Sequence, residues 1–111
     1  MKRGVTPAEL RQWLDAGRSL TVLDVRKQAD YDADSVMLRQ AQWMDPERVG
    51  EWKATLTTGV PVVVYCVHGH AVSRQVADHL RASGFDASLL EGGIEAWKEV
   101  GGSTVAKRVG A

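Results

Sequence analysis

The chain is 111 residues long, enough for one hydrophobic core and too short for two, and its 44% hydrophobic and 25% charged residues are those of an ordinary globular protein. Fourteen lysines and arginines balance fourteen aspartates and glutamates, so no net field draws it to nucleic acid or to a membrane surface. One cysteine excludes an internal disulfide, no apolar run approaches membrane-spanning length, and Met1-Lys2-Arg3-Gly4-Val5-Thr6 lacks the apolar stretch of a secretory signal, so a reducing cytoplasm is the expected location.

Thr6-Pro7-Ala8-Glu9 predicts a helix start: Thr6 caps, Pro7 suits the first turn and Glu9 completes a capping box. Leu10, Trp13 and Leu14 share one face, and Gly17 ends the helix. Leu20 to Leu23 is a short strand that runs into Asp24-Val25-Arg26. Tyr31 and Ala33 are read on a short helix and Val36 to Leu38 as a brief strand; Asp45-Pro46-Glu47 opens another helix with Val49 and Trp52 inward. Thr57-Thr58-Gly59 turns the chain into Val60 to Tyr65, which is apolar on both faces as a central parallel strand requires.

Ser73 is read as the N-cap of a helix that carries Val76, Ala77 and Leu80 on one stripe, pairs Arg74 with Asp78 and stops at Gly84. Phe85 to Leu90 is a further strand, Glu91-Gly92-Gly93 a turn, and Ile94 to Val100 a last helix carrying Trp97. Gly101 to Ala111 lacks periodicity, and the tail from about residue 102 to 111 is expected to be frayed. Strand and helix signals alternate along one domain, residues 1–111, which predicts an α/β fold with a parallel sheet flanked by helices on both faces.

The chemistry concentrates at Cys66. It leaves the apolar run Val60-Pro61-Val62-Val63-Val64-Tyr65 and enters the loop Val67-His68-Gly69-His70-Ala71-Val72 before Ser73. A cysteine placed between a buried strand and a helix N-terminus faces unpaired backbone N–H donors and the positive end of the helix dipole, which favour the nucleophilic thiolate. The alternative is a small buried hydrophobe. With Gly69 permitting positive φ, the loop can turn the amides of Val67 to Ser73 toward the sulfur, a ring of donors suited to an anionic, polarisable group.

Asp24-Val25-Arg26 after one strand, Cys66-Val67-His68-Gly69 after another, Gly84-Phe85 and Glu91-Gly92-Gly93-Ile94-Glu95-Ala96-Trp97 together resemble the single-domain rhodaneses, from about Thr6 to Gly101. The resemblance implies a compact α/β domain and sulfur transfer. The family cysteine takes the outer sulfur of a small anionic donor such as thiosulfate, holds it as a persulfide and delivers it to cyanide or a thiol. Cys66 is the position that carries this role here. A two-step displacement of this kind predicts ping-pong kinetics.

Two departures stand out. Counting back from Gly84-Phe85 through Leu80, Ala77 and Val76 leaves seven residues, Cys66 to Val72, in a loop that ordinarily holds six. Seven is the length found in the dual-specificity phosphatases and arsenate reductases of this fold, where the loop ends on an arginine that grips an oxyanion. Here that place is taken by Val72, with Arg74 two residues further on. Upstream, Asp34-Ser35-Val36-Met37-Leu38 stands where the family usually has Gly-His-Ile-Pro-Gly. The loop also looks like that of rhodanese domains associated with chromate-resistance proteins.

Thiosulfate-type sulfur transfer is therefore the leading expectation. An oxyanion-handling phosphatase or an arsenate or chromate reductase is the runner-up, and a non-turnover carrier or sensor that receives persulfide from a partner protein is the third reading. His68 and His70 either line the pocket mouth as partial positive charge or are solvated loop residues. With Cys66 they offer too few ligands for a metal site, and no cofactor is expected. Arg26 and Arg74 are candidates for the pocket rim, though a structural pairing of Arg26 with Asp24 and a surface position for Arg74 are favoured.

Overall fold

The computed structural model describes residues 4–107. Its strands and helices alternate as β1 (Gly4–Val5), α1 (Pro7–Asp15), β2 (Thr21–Asp24), α2 (Gln28–Ala33), β3 (Val36–Leu38), β4 (Ala41–Trp43), a 3-10 turn at Pro46–Arg48, α3 (Val49–Trp52), β5 (Val62–Tyr65), α4 (Ala71–Ala82), β6 (Ala87–Leu90), α5 (Gly93–Glu99) and β7 (Thr104–Ala106). Five strands form one parallel sheet in the order β1-β6-β5-β2-β4. The expected capping box of α1 is present: the Glu9 amide donates to the Thr6 hydroxyl at 3.1 Å and the Thr6 amide to the Glu9 carboxylate at 3.0 Å.

Side-chain alternation on β5 divides the core in two. Val62 and Val64 face Val76, Ala77 and Leu80 of α4, with Val49 and Trp52 of α3. Val63 and Tyr65 face Leu10 of α1 and Ile94 and Trp97 of α5. Both faces of the sheet are thus covered, and that is why β5 reads as an unbroken apolar run. No helix among the described residues is long and apolar enough to cross a membrane.

The tail differs from expectation. Thr104 to Ala106 pairs antiparallel with Val36 to Leu38, forming a second, two-stranded sheet. The Gly102 amide donates to Trp97 O at 2.9 Å, the Trp97 indole N–H to Ser103 O at 3.0 Å, and the Lys107 amide to Ser35 O at 3.0 Å. These ties run through backbone groups and one indole, and the Val105 and Ala106 side chains are exposed, so hydropathy carries no trace of them. The rest of the expected flexible tail, residues 108–111, lies outside the described residues.

Candidate functional site

Cys66 directly follows β5, and strand alternation sends its side chain to the α4 face. There it is 6% exposed, with its Sγ 3.2 Å from the hydroxyl of the fully buried Ser73. Ser73 Oγ in turn donates to His70 O at 3.4 Å. Ser73 is therefore not the N-cap. The helix begins two residues earlier, at Ala71, with His70 in the cap position and no side-chain cap bond. The hydroxyl that could have capped α4 is turned inward to the sulfur, and Ala71 and Val72 of the expected loop form the first turn.

None of the backbone N–H groups from Val67 to Ser73 has an acceptor among the described residues; the first amide to bond is that of Arg74, to His70 O at 3.1 Å. Seven consecutive donors in the segment that follows the thiol are thus without an acceptor among the described residues. Helix α5 holds the loop from the other side: the Ile94 amide donates to Cys66 O at 3.0 Å and the Glu95 amide to Val67 O at 3.2 Å. Because a trans peptide points its N–H opposite to its C=O, these bonds turn the Val67 and His68 amides away from α5.

Two glycines make this contact possible. Gly69, at φ +74°, has Gly92 N 2.8 Å and Leu90 O 2.9 Å from where a Cβ would stand. A Cβ on Gly93, at φ +62°, would fall 2.4 Å from both Cys66 O and Val67 O. Gly92-Gly93 is therefore more than a turn: it lets α5 reach the carbonyls of the cradle. Sequence reasoning missed this role, and the signal available was the position of the pair immediately before a helix.

Arg26 is 1% exposed and fully engaged. Its guanidinium reaches Asp24 Oδ2 at 2.6 Å, Asp34 Oδ2 at 2.9 Å and Val36 O at 3.1 Å. Tyr65 donates its hydroxyl to Asp24 Oδ2 at 2.9 Å and accepts the Leu38 amide at 3.1 Å. Burial works to lower the Arg26 pKa, but the bond and charge of Asp24 hold it above its ordinary value; burial and then the Asp24 charge push the Tyr65 phenol far up. This network braces the segment after β2. Arg26 also lines a hollow with Asp34, Val67 and Ile94, while its hydrogen bonds are to Asp24, Asp34 and Val36.

His68 and His70 are exposed, with ring centroids 6.2 Å apart. With Gly69 and Arg74 they line a cavity of about 660 Å³ that extends to Glu91 and Gly92. The expected Arg74–Asp78 pair is absent: Asp78 meets Arg81 at 2.6 Å, and Arg74 is left exposed without an ion pair among the described residues. Val72 faces a different hollow with Lys27, Gln28 and Gln75. Among the described residues no three His, Cys, Asp or Glu side chains gather as a metal-ion site.

Residues 6–100 match the family model of the rhodanese-like domain. The chain is 33% identical to the thiosulfate sulfurtransferase GlpE of Coxiella burnetii over 93 residues, which cover 82% of this chain and 84% of that one. It is 38% identical over 95 residues to MoeZ of Mycobacterium tuberculosis, named a probable adenylyltransferase/sulfurtransferase. That match covers 84% of this chain and spans about a quarter (24%) of MoeZ. The crystal structure of a rhodanese-related protein from Thermoplasma volcanium superposes with a TM-score of 0.82 at 25% identity, over 95% of this chain and 99% of that one. An α/β sheet of this topology, a cysteine at the end of its central strand and a matched family model over nearly the whole chain lead to one assignment: the protein belongs to the rhodanese-like domain family, with sulfurtransferases among its named relatives.

Proposed function

We propose that the protein is a sulfurtransferase that moves a sulfane sulfur through a persulfide on Cys66. The thiolate attacks the outer sulfur of thiosulfate or a related donor; the donor S–S bond breaks and sulfite leaves with its electron pair. An acceptor thiolate or cyanide then attacks the outer sulfur of the Cys66 persulfide, and Sγ departs as the thiolate. No net oxidant is needed, and the enzyme returns to its starting state. Within a reducing cytoplasm the resting thiol would stay available.

The observation that carries the reading is a nearly buried Cys66 Sγ bonded to Ser73 and followed by seven amide donors that have no acceptor among the described residues. A persulfide bears one diffuse negative charge, and preorganised N–H dipoles stabilise such a charge without a dedicated acid. The 33% identity to a protein named thiosulfate sulfurtransferase supports thiosulfate as the donor. Phosphatase or arsenate-reductase chemistry lacks its oxyanion arginine, since Val72 takes that place and Arg26 is spent on Asp24 and Asp34.

Intact-protein mass spectrometry before and after thiosulfate tests the proposal. Wild type gains one sulfur atom, and Cys66→Ser gains none and loses cyanolysis. An unchanged wild-type mass with thiosulfate, but a gain from a protein persulfide, would indicate the partner-fed carrier; no gain from either donor overturns the persulfide.

A further inference from the structure

We propose that the hollow between α1, the β3–β4 turn and the segment after α5 binds a small phosphate monoester, with the phosphate held by Arg11 and Arg39. The site is separate from the sulfur chemistry. Leu14 and Trp97, which line it, belong to the core on the α1 and α5 side of the sheet, whereas Cys66 points to the α4 side. It shares no lining residue with the cavity at His68 and His70. Its volume of about 260 Å³ lies just below the usual range for drug-sized ligands, so the ligand is small.

Its walls are fixed by contacts within the chain. The Arg39 amide donates to Ser103 O at 3.3 Å, and the Trp97 indole N–H donates to the same oxygen at 3.0 Å. A Cβ on Gly102 would stand 2.2 Å from the Trp97 ring, so the strap that carries Ser103 is pressed against the indole. Arg11 reaches this strap from α1, its Nη1 donating to Val100 O at 3.4 Å. Gln40, also in the lining, holds φ +71°, the one positive φ outside glycine among the described residues. That left-handed conformation costs a residue with a side chain about 1–2 kcal/mol, and strain of this kind clusters at ligand sites.

The two cations are unspent. Arg26, Arg48 and Arg81 are paired with carboxylates, and Arg18 lies over the Trp13 ring at 4.6 Å. Arg11 and Arg39 have neither kind of partner among the described residues, although Asp15 lines the same hollow. Asp15 thus stands beyond ion-pair reach of both, which leaves room for a ligand between them. A phosphate monoester presents three terminal oxygens, enough for a fork from each guanidinium. Hydroxyl groups on its ester body donate to the Asp15 carboxylate and to the side-chain oxygen of Gln40. A simple carboxylate occupies one fork only, and inorganic phosphate leaves Asp15 without a neutral donor.

An NMR titration of the isotope-labelled protein with 2-hydroxyethyl phosphate, read on the Gln40 amide and the Trp97 indole N–H, tests the site at constant ionic strength. Saturable shifts should be half complete near or below about 1 mM, with inorganic phosphate about threefold weaker or more and ethylene glycol without effect. Arg11→Gln and Arg39→Gln should each weaken binding about tenfold or more, the worth of a charged hydrogen bond, while Arg18→Gln leaves it unchanged. The Arg39 side chain has no partner to lose, and an unshifted Trp97 indole signal in the free variants shows that the walls are intact. The proposal is overturned by the absence of saturable shifts, by shifts that persist in both Arg11→Gln and Arg39→Gln, or by equal weakening from all three substitutions. Binding no tighter than that of inorganic phosphate overturns it as well.

Discussion

Substituting Gly93→Ala places the added carbon 2.4 Å from Cys66 O and Val67 O and 2.5 Å from Val67 C. All three are backbone atoms, so no side chain can swing aside. The position also has φ +62°, which costs a non-glycine residue about 1–2 kcal/mol. Relief of the overlap requires α5 to retreat from the loop, weakening the Ile94–Cys66 and Glu95–Val67 bonds, each worth about 1 kcal/mol. Strain and lost bonds together destabilise by about 3–5 kcal/mol. At about 4–8 °C per kcal/mol for a domain of this size, the melting temperature should fall by more than about 10 °C. With a total stability of about 10 kcal/mol, the middle of the usual range, the variant stays folded at 25 °C, and its circular dichroism spectrum at that temperature checks this before activity is read. Thermal denaturation by circular dichroism and thiosulfate cyanolysis are the assays, and Gly17→Ala is the control, since Gly17 has φ +69° but nothing within 4 Å of its added carbon. The control should show the backbone cost alone. A Gly93→Ala protein that melts like the Gly17→Ala control and keeps full activity would refute the clamp.

Ser73→Ala removes the side-chain partner of Cys66 Sγ and should slow persulfide formation about tenfold, the worth of a hydrogen bond to a charged sulfur, in a single-turnover mass assay; an unchanged rate would mean that the amides alone suffice. Asp34 gives a pH dependence: partial burial works to raise its pKa, but the bonds from Lys98, the Val36 amide and Arg26 hold it below the ordinary 3.8. A carboxylate lowered on folding adds stability above its unfolded pKa and loses it as pH falls through the folded value. Asp34→Asn should therefore lower the urea midpoint near neutral pH, with the gap from wild type closing below about pH 4. A gap that persists in acid would contradict the sign.

The legible parts of this chain are those whose causes lie close together in sequence. Thr6-Pro7-Ala8-Glu9 caps its own helix, and Val62 to Tyr65 is apolar throughout because it lies mid-sheet. Cys66 and Gly69 stand in one loop, and so the nucleophile and its turn could be read together. Other features are written by distant partners. Ser73 has the chemistry of a cap, but the sulfur at the end of β5 competes for its hydroxyl, and α4 starts at Ala71. Arg74 and Asp78 have ideal spacing for a pair, yet Arg81 takes the carboxylate. Trp97 fixes Ser103 and so orders a tail with no hydropathy pattern of its own. The grip of α5 on Cys66 O and Val67 O joins segments far apart in the chain through main-chain atoms, which leave no side-chain signature except the two glycines.

The same distribution of partners bears on which anion the cradle suits. A transferring phosphoryl or arsenate group spreads charge over several oxygens and calls for a full cation at close range, usually a bidentate arginine. Around Cys66 the described cations are placed elsewhere: Arg26 is locked to Asp24 and Asp34, and Arg74 faces the cavity outside the loop. Val72, in the first turn of α4, contributes an apolar side chain. The sulfur's side-chain partner is a neutral hydroxyl, and the amides of the loop that follows it have no acceptor among the described residues. Dipoles of that kind match a single, polarisable charge better than a dense dianion, because stabilisation falls off as the charge to be balanced exceeds what partial charges can offset. The loop counted as seven residues in the sequence is shorter in the structure, where Ala71 and Val72 belong to the first turn of α4 and Ser73 is brought to the thiol.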